Sequence, residues 1–115
     1  GQENGESAGT RQLSGIGGQM DFLEGAFRSQ GGKGFICMNA SRVTKDGERK
    51  SNILPAIPGG STVSAPRTMI QYVATEYGVV KLSGLSVLER AQAMISVAHP
   101  DFREELTKYA QENFF

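Results

Sequence analysis

Between Ser14 and Phe22 the chain reads Ser-Gly-Ile-Gly-Gly-Gln-Met-Asp-Phe, with glycine at three of four positions, Gly15, Gly17 and Gly18. No other stretch restricts the fold as much. Without Cβ atoms the backbone turns tightly there, reaches positive φ and lets a ligand come close. A helix is expected directly after it, roughly Gln19 to Arg28. Phe22, Leu23, Ala26 and Phe27 lie on one side, and Asp21 and Glu24 sit early, where acids suit the positive end of a helix. Arg28 and then Gly31-Gly32 form the stop. A glycine turn feeding a helix N-terminus offers unpaired N–H groups to an anion or a developing oxyanion. The same pattern also serves as an ordinary strand-to-helix connection. Two nucleotide readings fit poorly: the Lys-Ser/Thr of a P-loop is missing, and Gly15-Ile16-Gly17-Gly18 lacks the spacing of the dinucleotide fingerprint.

The chain has 115 residues, enough for one domain with a modest core. Its 12 basic residues offset its 12 acidic ones, so no net field argues for nucleic acid or an anionic membrane. Fifteen glycines, about twice the usual frequency, suit short strands and tight turns rather than a helical bundle. The one cysteine, Cys37, lies in an apolar run and is expected as a buried structural thiol rather than a nucleophile. With a single histidine as well, an internal zinc site is not expected. No apolar run reaches the ~20 residues of a membrane helix, and no signal peptide is present, so a soluble cytoplasmic protein is the expectation.

In chain order, Gly1 to Ser14 read as an irregular lead-in or edge strand, and the abrupt start suggests the tail of something longer. Gly34 to Asn39 is a short apolar run expected as a buried strand. Asp46-Gly47, within a charged stretch, signals a hairpin whose returning strand would be Ser51 to Ile57, cut short by Pro55 and Pro58. Thr62 to Ala65 is a brief strand stopped at Pro66, and Tyr72 to Tyr77 a strand ending on Gly78. Glu76 admits a functional reading or a carboxylate meeting a backbone N–H or a partner chain. Ser86 with Glu89 forms a capping box for a helix carrying Val87, Leu88, Ala91, Met94, Ile95 and Ala98 on one face. His99-Pro100 ends it, with His99 expected in a capping or hydrogen-bonding role. A second helix carries Phe102, Leu106, Tyr109 and Ala110. The composite is α/β, a mixed sheet with flanking helices.

Three segments in register resemble a known family: Gly15-Ile16-Gly17-Gly18-Gln19-Met20-Asp21-Phe22, Thr75-Glu76-Tyr77-Gly78-Val79, and Ala98-His99-Pro100-Asp101-Phe102-Arg103. Together with Gly1-Gln2, Asn4, Glu6-Ser7 and Gly9 they look like the C-terminal part of the acetyl-CoA hydrolase/transferase family, which includes 4-hydroxybutyrate and butyrate–acetate CoA-transferases. The resemblance covers nearly the whole chain. Glu3 departs from it, standing where an apolar strand residue is usual, and Met69 and Gln71 replace acids often found before Tyr72.

The resemblance implies a fold like the C-terminal half of a CoA-transferase, and a specific chemistry. Coenzyme A passes from an acyl-CoA to a carboxylate through a glutamyl-CoA thioester, with the glutamate in an N-terminal half outside these residues. The resemblance further implies that Gly15, Gly17, Gly18 and Gln19 line the acyl or CoA site, with Gly17 and Gly18 in backbone contact. Gln19 would either bond the acyl end or cap the helix. Asp21 is read as a helix stabiliser. Lys33 is a candidate to meet a CoA phosphate, with a solvated surface lysine as the favoured reading. A homodimer is implied, no metal is expected, and these residues alone should be inactive. Rival readings are an acyl-CoA hydrolase module and a non-catalytic α/β binding or assembly domain.

Overall fold

The computed structural model describes residues 1–114. In chain order the elements are Ser7–Ala8 (β1), Arg11–Gln12 (β2), Gln19–Arg28 (α1), Phe35–Cys37 (β3), Ser41–Val43 (β4), Arg49–Ser51 (β5), a 3-10 turn at Arg67–Met69, Tyr72–Thr75 (β6), Gly78–Lys81 (β7), Val87–Ser96 (α2) and Pro100–Phe114 (α3). The architecture is mixed α/β, with the strands divided among three small sheets. The largest has the order β3-β6-β7, with β3 parallel to β6 and β7 antiparallel to it. β1 and β2 form one hairpin, and β4 and β5 another across the Asp46-Gly47 turn.

The core has two parts. Leu23 from α1, Ala65, Ile70, Val73 from β6 and Leu82 form the first, and Ile53, Val97, Ala98 and Leu106 from α3 the second. Met38, Val80 and Met94 pack against both and join them. Helix α2 is held at its start by the expected capping box: the Ser86 hydroxyl accepts the Glu89 N–H while the Glu89 carboxylate accepts the Ser86 N–H. Unpaired donors of the first turn are thereby satisfied at both ends of the motif. His99 takes the hydrogen-bonding role expected of it, its Nδ1 accepting the Asp101 N–H at 3.3 Å. Gln71 supplies an internal contact rather than a surface one: its Oε1 accepts the Gly34 N–H at 2.8 Å, tying β3 to the approach of β6.

Several expected elements differ. The strand after the Asp-Gly turn is Arg49–Ser51, not Ser51 to Ile57, because the Ser51 hydroxyl bonds both the N–H and the C=O of Ile53 and bends the chain. Thr62 to Ala65 does not form a strand. Only Ala65 makes a bridge, with Glu3, before Pro66 interrupts. The run at Tyr72 stops at Thr75, and Glu76-Tyr77 turn directly into β7. The strand at β3 is not buried on both faces. It lies at the edge of its sheet, Phe35 is 46% exposed, and Cys37 is exposed instead of buried. On α1 the apolar side also faces outward in part, with Leu23 buried but Phe22 82% exposed. Large apolar patches of this kind mark surfaces that other protein covers.

Candidate functional site

The glycine loop is anchored at both ends and free between them. Upstream, the N–H groups of Leu13 and Ser14 both donate to the Glu6 carbonyl, at 2.8 and 3.2 Å. Downstream, Gly18 caps α1 with φ −92° and contributes no side chain, and its carbonyl accepts the Phe22 N–H at 3.1 Å. Between them Gly17 adopts φ +61°, the left-handed region that residues with a Cβ rarely enter. The N–H groups of Gly18, Gln19, Met20 and Asp21 make no hydrogen bond of standard geometry among the described residues, although the turn at Gly17-Gly18 brings the Ile16 carbonyl toward the helix start. These are the orphan donors of a helix start, and they carry the positive end of its dipole.

Gly15, Gly17 and Gly18 are all exposed, and a Cβ built on Gly15 or Gly17 meets no atom within 4 Å. Gln19 does not cap the helix, the second of the two roles expected of it from sequence. Its Nε2 donates to Oε2 of Glu3 at 2.6 Å, while no side chain caps α1. Glu3 and the space that Gly5 leaves beside it are the features sequence reasoning missed; the signal was the carboxylate itself, in a place that suits an apolar residue. Partial burial pushes the Glu3 carboxyl above the ordinary range, the Gln19 amide draws it partly back, and the nearby Glu6 charge adds to the rise.

Beside the loop an open cleft of about 470 Å³ runs along α1, lined by Gln19, Phe22, Ala26, Lys33, Phe35 and their neighbours. Phe35 stacks on Tyr72 with ring centroids 4.8 Å apart. Of the four predicted loop residues only Gln19 reaches this cleft; Gly15, Gly17 and Gly18 stand outside it. Asp21 lies in the first turn of α1, as a helix stabiliser should.

Glu76 lies away from the loop in a structural role. Its Oε2 accepts the Ala40 N–H at 2.9 Å, and that bond, followed by one from its own backbone, holds its carboxyl below the ordinary range. A depressed pKa stabilises the fold above the unfolded value near ~4.3 and ceases to do so as pH falls through the folded value. Glu76→Gln is therefore expected to lower the thermal midpoint at neutral pH, with the gap from wild type persisting to about pH 4 and narrowing as the pH falls below it. A gap independent of pH contradicts this account. No group of His, Cys, Asp and Glu able to hold a metal occurs among the described residues. No helix among them is long and apolar enough to cross a membrane.

Comparison with known proteins gives this arrangement a context. Residues 1–110 match the acetyl-CoA hydrolase/transferase C-terminal domain. The chain is 46% identical over 112 residues to butyryl-CoA:acetate CoA-transferase of Anaerostipes caccae, covering 97% of this chain and 25% of that protein. It is 42% identical to 4-hydroxybutyrate coenzyme A transferase of Clostridium kluyveri, covering 99% of this chain and 26% of that one. The crystal structure of RipA from Yersinia pestis superposes with a TM-score of 0.83 at 43% identity, over 97% of this chain and 24% of RipA. The chain thus spans about a quarter of the length of the curated relatives it matches. The family match over nearly every residue, with the same backbone in RipA, shows that this chain belongs to the acetyl-CoA hydrolase/transferase family as its C-terminal domain.

Proposed function

We propose that residues 1–115 are a single domain, the C-terminal module of a longer acyl-CoA:carboxylate CoA-transferase acting on short-chain or 4-hydroxy acids. The observation that carries this reading is the loop from Gly15 to Gln19. Four successive N–H groups make no hydrogen bond of standard geometry among the described residues, and the glycines before them are exposed. A wall contributed by an N-terminal half would close that row around an acyl thioester. Relatives four times as long have room for such a half.

In this reading a glutamate of the N-terminal half attacks the acyl-CoA thioester carbonyl. The C–S bond breaks, CoA leaves as a thiolate and a mixed anhydride remains. The thiolate then attacks the glutamyl carbonyl, and the original acid departs as its carboxylate. Running the same steps backward with a second carboxylate yields the new acyl-CoA and restores the glutamate. Each addition puts a negative charge on oxygen, which fixed N–H donors stabilise without reorganising. The backbone at Gly17 and Gly18 supplies such donors in this proposal, and Gly15 and Gln19 shape the acyl or CoA side. Coenzyme A enters as part of the substrate, and Lys33 lines the cleft where a phosphate would gain from its charge. On the resemblance alone we read the enzyme as a cytoplasmic homodimer.

The test is turnover of acyl-CoA by the full-length protein, with and without an added carboxylate, with the new acyl-CoA and free CoA measured separately. Formation of the new acyl-CoA is expected to require the carboxylate and to saturate with it, with little free CoA. Free CoA released equally well without a carboxylate overturns transfer in favour of hydrolysis. No exchange with any of several carboxylates overturns both, leaving the binding or assembly domain.

A further inference from the structure

Glu3 is attached to the core by its backbone and to the glycine loop by its side chain. Its N–H donates to the Ala65 carbonyl at 3.0 Å, and its own carbonyl accepts the Ser64 N–H at 2.8 Å and the Ala65 N–H at 3.2 Å. Ser64 and Ala65 are 5% and 0% exposed, so this strap is fixed to the most solid part of the molecule. Two residues on, the Gly5 N–H donates to the Ser64 hydroxyl at 2.9 Å. From that base the Glu3 carboxylate reaches Gln19, the first residue of α1, at 2.6 Å.

The space around this pair is closely fitted. A Cβ on Gly5 would stand 2.9 Å from Oε1 of Glu3 and 3.1 Å from Oε1 of Gln19, closer than carbon and oxygen approach in ordinary contact. A side chain at position 5 would therefore push the ends of Glu3 and Gln19 aside from the positions they hold here. The pair also completes the mechanical frame of the loop. The upstream end hangs on the Glu6 carbonyl and the downstream end on Glu3, and a Cβ built on Gly15 or Gly17 between them meets no atom within 4 Å. Of the two anchors, only the downstream one adjoins the orphan N–H groups at the start of α1. A charge-assisted hydrogen bond of this length is among the stronger polar contacts a side chain makes.

We propose that Glu3 is a positioning residue for the acyl-transfer loop, its carboxylate holding Gln19 and with it the N–H donors of the α1 N-terminus. This rests on the reading of the loop given under Proposed function. Because donors must stand within a few tenths of an ångström of the developing oxyanion, slack in the anchor appears in turnover more than in binding.

The experiment is a double-mutant cycle in the full-length protein, using Glu3→Val, Gln19→Ala and the pair together, with Glu3→Gln as the conservative variant. Turnover, KM for acyl-CoA and thermal midpoint are measured for each. Glu3→Val is expected to lower kcat about tenfold while KM moves by less than about twofold. Glu3→Gln keeps an acceptor oxygen and should recover most of the loss. The double variant should be no slower than Gln19→Ala, because the two residues act through one contact. Gly5→Ala, which crowds the pair without touching either residue, should reproduce the fall in kcat. Independent, multiplying losses in the double variant overturn the proposal. So does coupling visible in the thermal midpoint but not in kcat, which leaves Glu3 a purely structural strap. Failure of the underlying loop reading has a separate signature: Gly18→Val then retains turnover, whatever the Glu3 cycle shows.

Discussion

Replacing Gly18 with valine in the full-length enzyme is expected to lower kcat by at least about a hundredfold while the protein still folds. The structure makes this position more informative than its neighbour. Gly17 sits at φ +61°, so any side chain there adds backbone strain, and a valine would confound a ligand effect with a folding effect. Gly18 has φ −92° and ψ 9°, which L-residues adopt, and its Cβ would rest 3.5 Å from the Phe22 ring, an ordinary contact. Valine at Gly18 therefore changes little inside the domain. It places two methyl groups on the outer surface of the loop, where the proposal puts the thioester. The thermal midpoint should move by only a few degrees, and residual acyl exchange should be near the limit of detection. Near-normal turnover with an unchanged midpoint means that the loop does not approach the reacting group.

How much of this was legible in the sequence depended on whether local chemistry decided the outcome. Helix α1 runs from Gln19 to Arg28 as read from its apolar spacing and acidic start, and the capping box at Ser86 and Glu89 formed as its side chains dictate. The Asp46-Gly47 hairpin is equally local. Burial was harder, because it depends on what lies across from a residue. The run from Gly34 to Asn39 is apolar enough for a central strand, yet it lies at a sheet edge with Cys37 exposed, because Tyr72–Thr75 pairs with it on one side only. Strand β7 was missed because the turn before it, Glu76-Tyr77, carries no glycine or asparagine at its tip; Gly78, at φ 144°, begins the strand instead. For the site, the glycines showed where the loop is, and their spacing said nothing about Gln19 meeting Glu3. That contact joins residues 16 positions apart through a bridge to Ala65, and no periodicity reports such a meeting.

Exposure of the full-length enzyme to an acyl-CoA, followed by intact-mass and peptide mapping, is expected to find a CoA-sized adduct on a glutamate outside residues 1–115. Four of the 12 acidic side chains in this chain are committed elsewhere. Glu76 accepts the Ala40 N–H, Glu89 closes the capping box, Glu24 pairs with Arg28 one turn along α1, and Glu3 accepts the Gln19 amide. A nucleophile needs the opposite circumstances: a free oxygen aimed at the acyl carbon from about 3–3.5 Å, across the loop that stabilises the oxyanion. Three carboxylates of this chain adjoin the loop, Glu3, Glu6 and Asp21, and that of Glu6 accepts the Gln12 amide at 3.3 Å. Asp21 belongs to the first turn of α1, on the same element as the donors rather than across from them, and Glu3 is turned into the loop's anchor. Residues 1–115 expressed alone should accordingly transfer no CoA, although the glycine loop is intact. An adduct on Glu3 would convert the anchor into the nucleophile and place both halves of the chemistry in this chain. An adduct on Glu76 would move the active site to the β6–β7 turn, away from the loop. With the adduct on an outside glutamate, the division of labour follows from the geometry. This chain would hold the donors in place behind an exposed glycine loop, and the rest of the enzyme would bring the carboxylate to them.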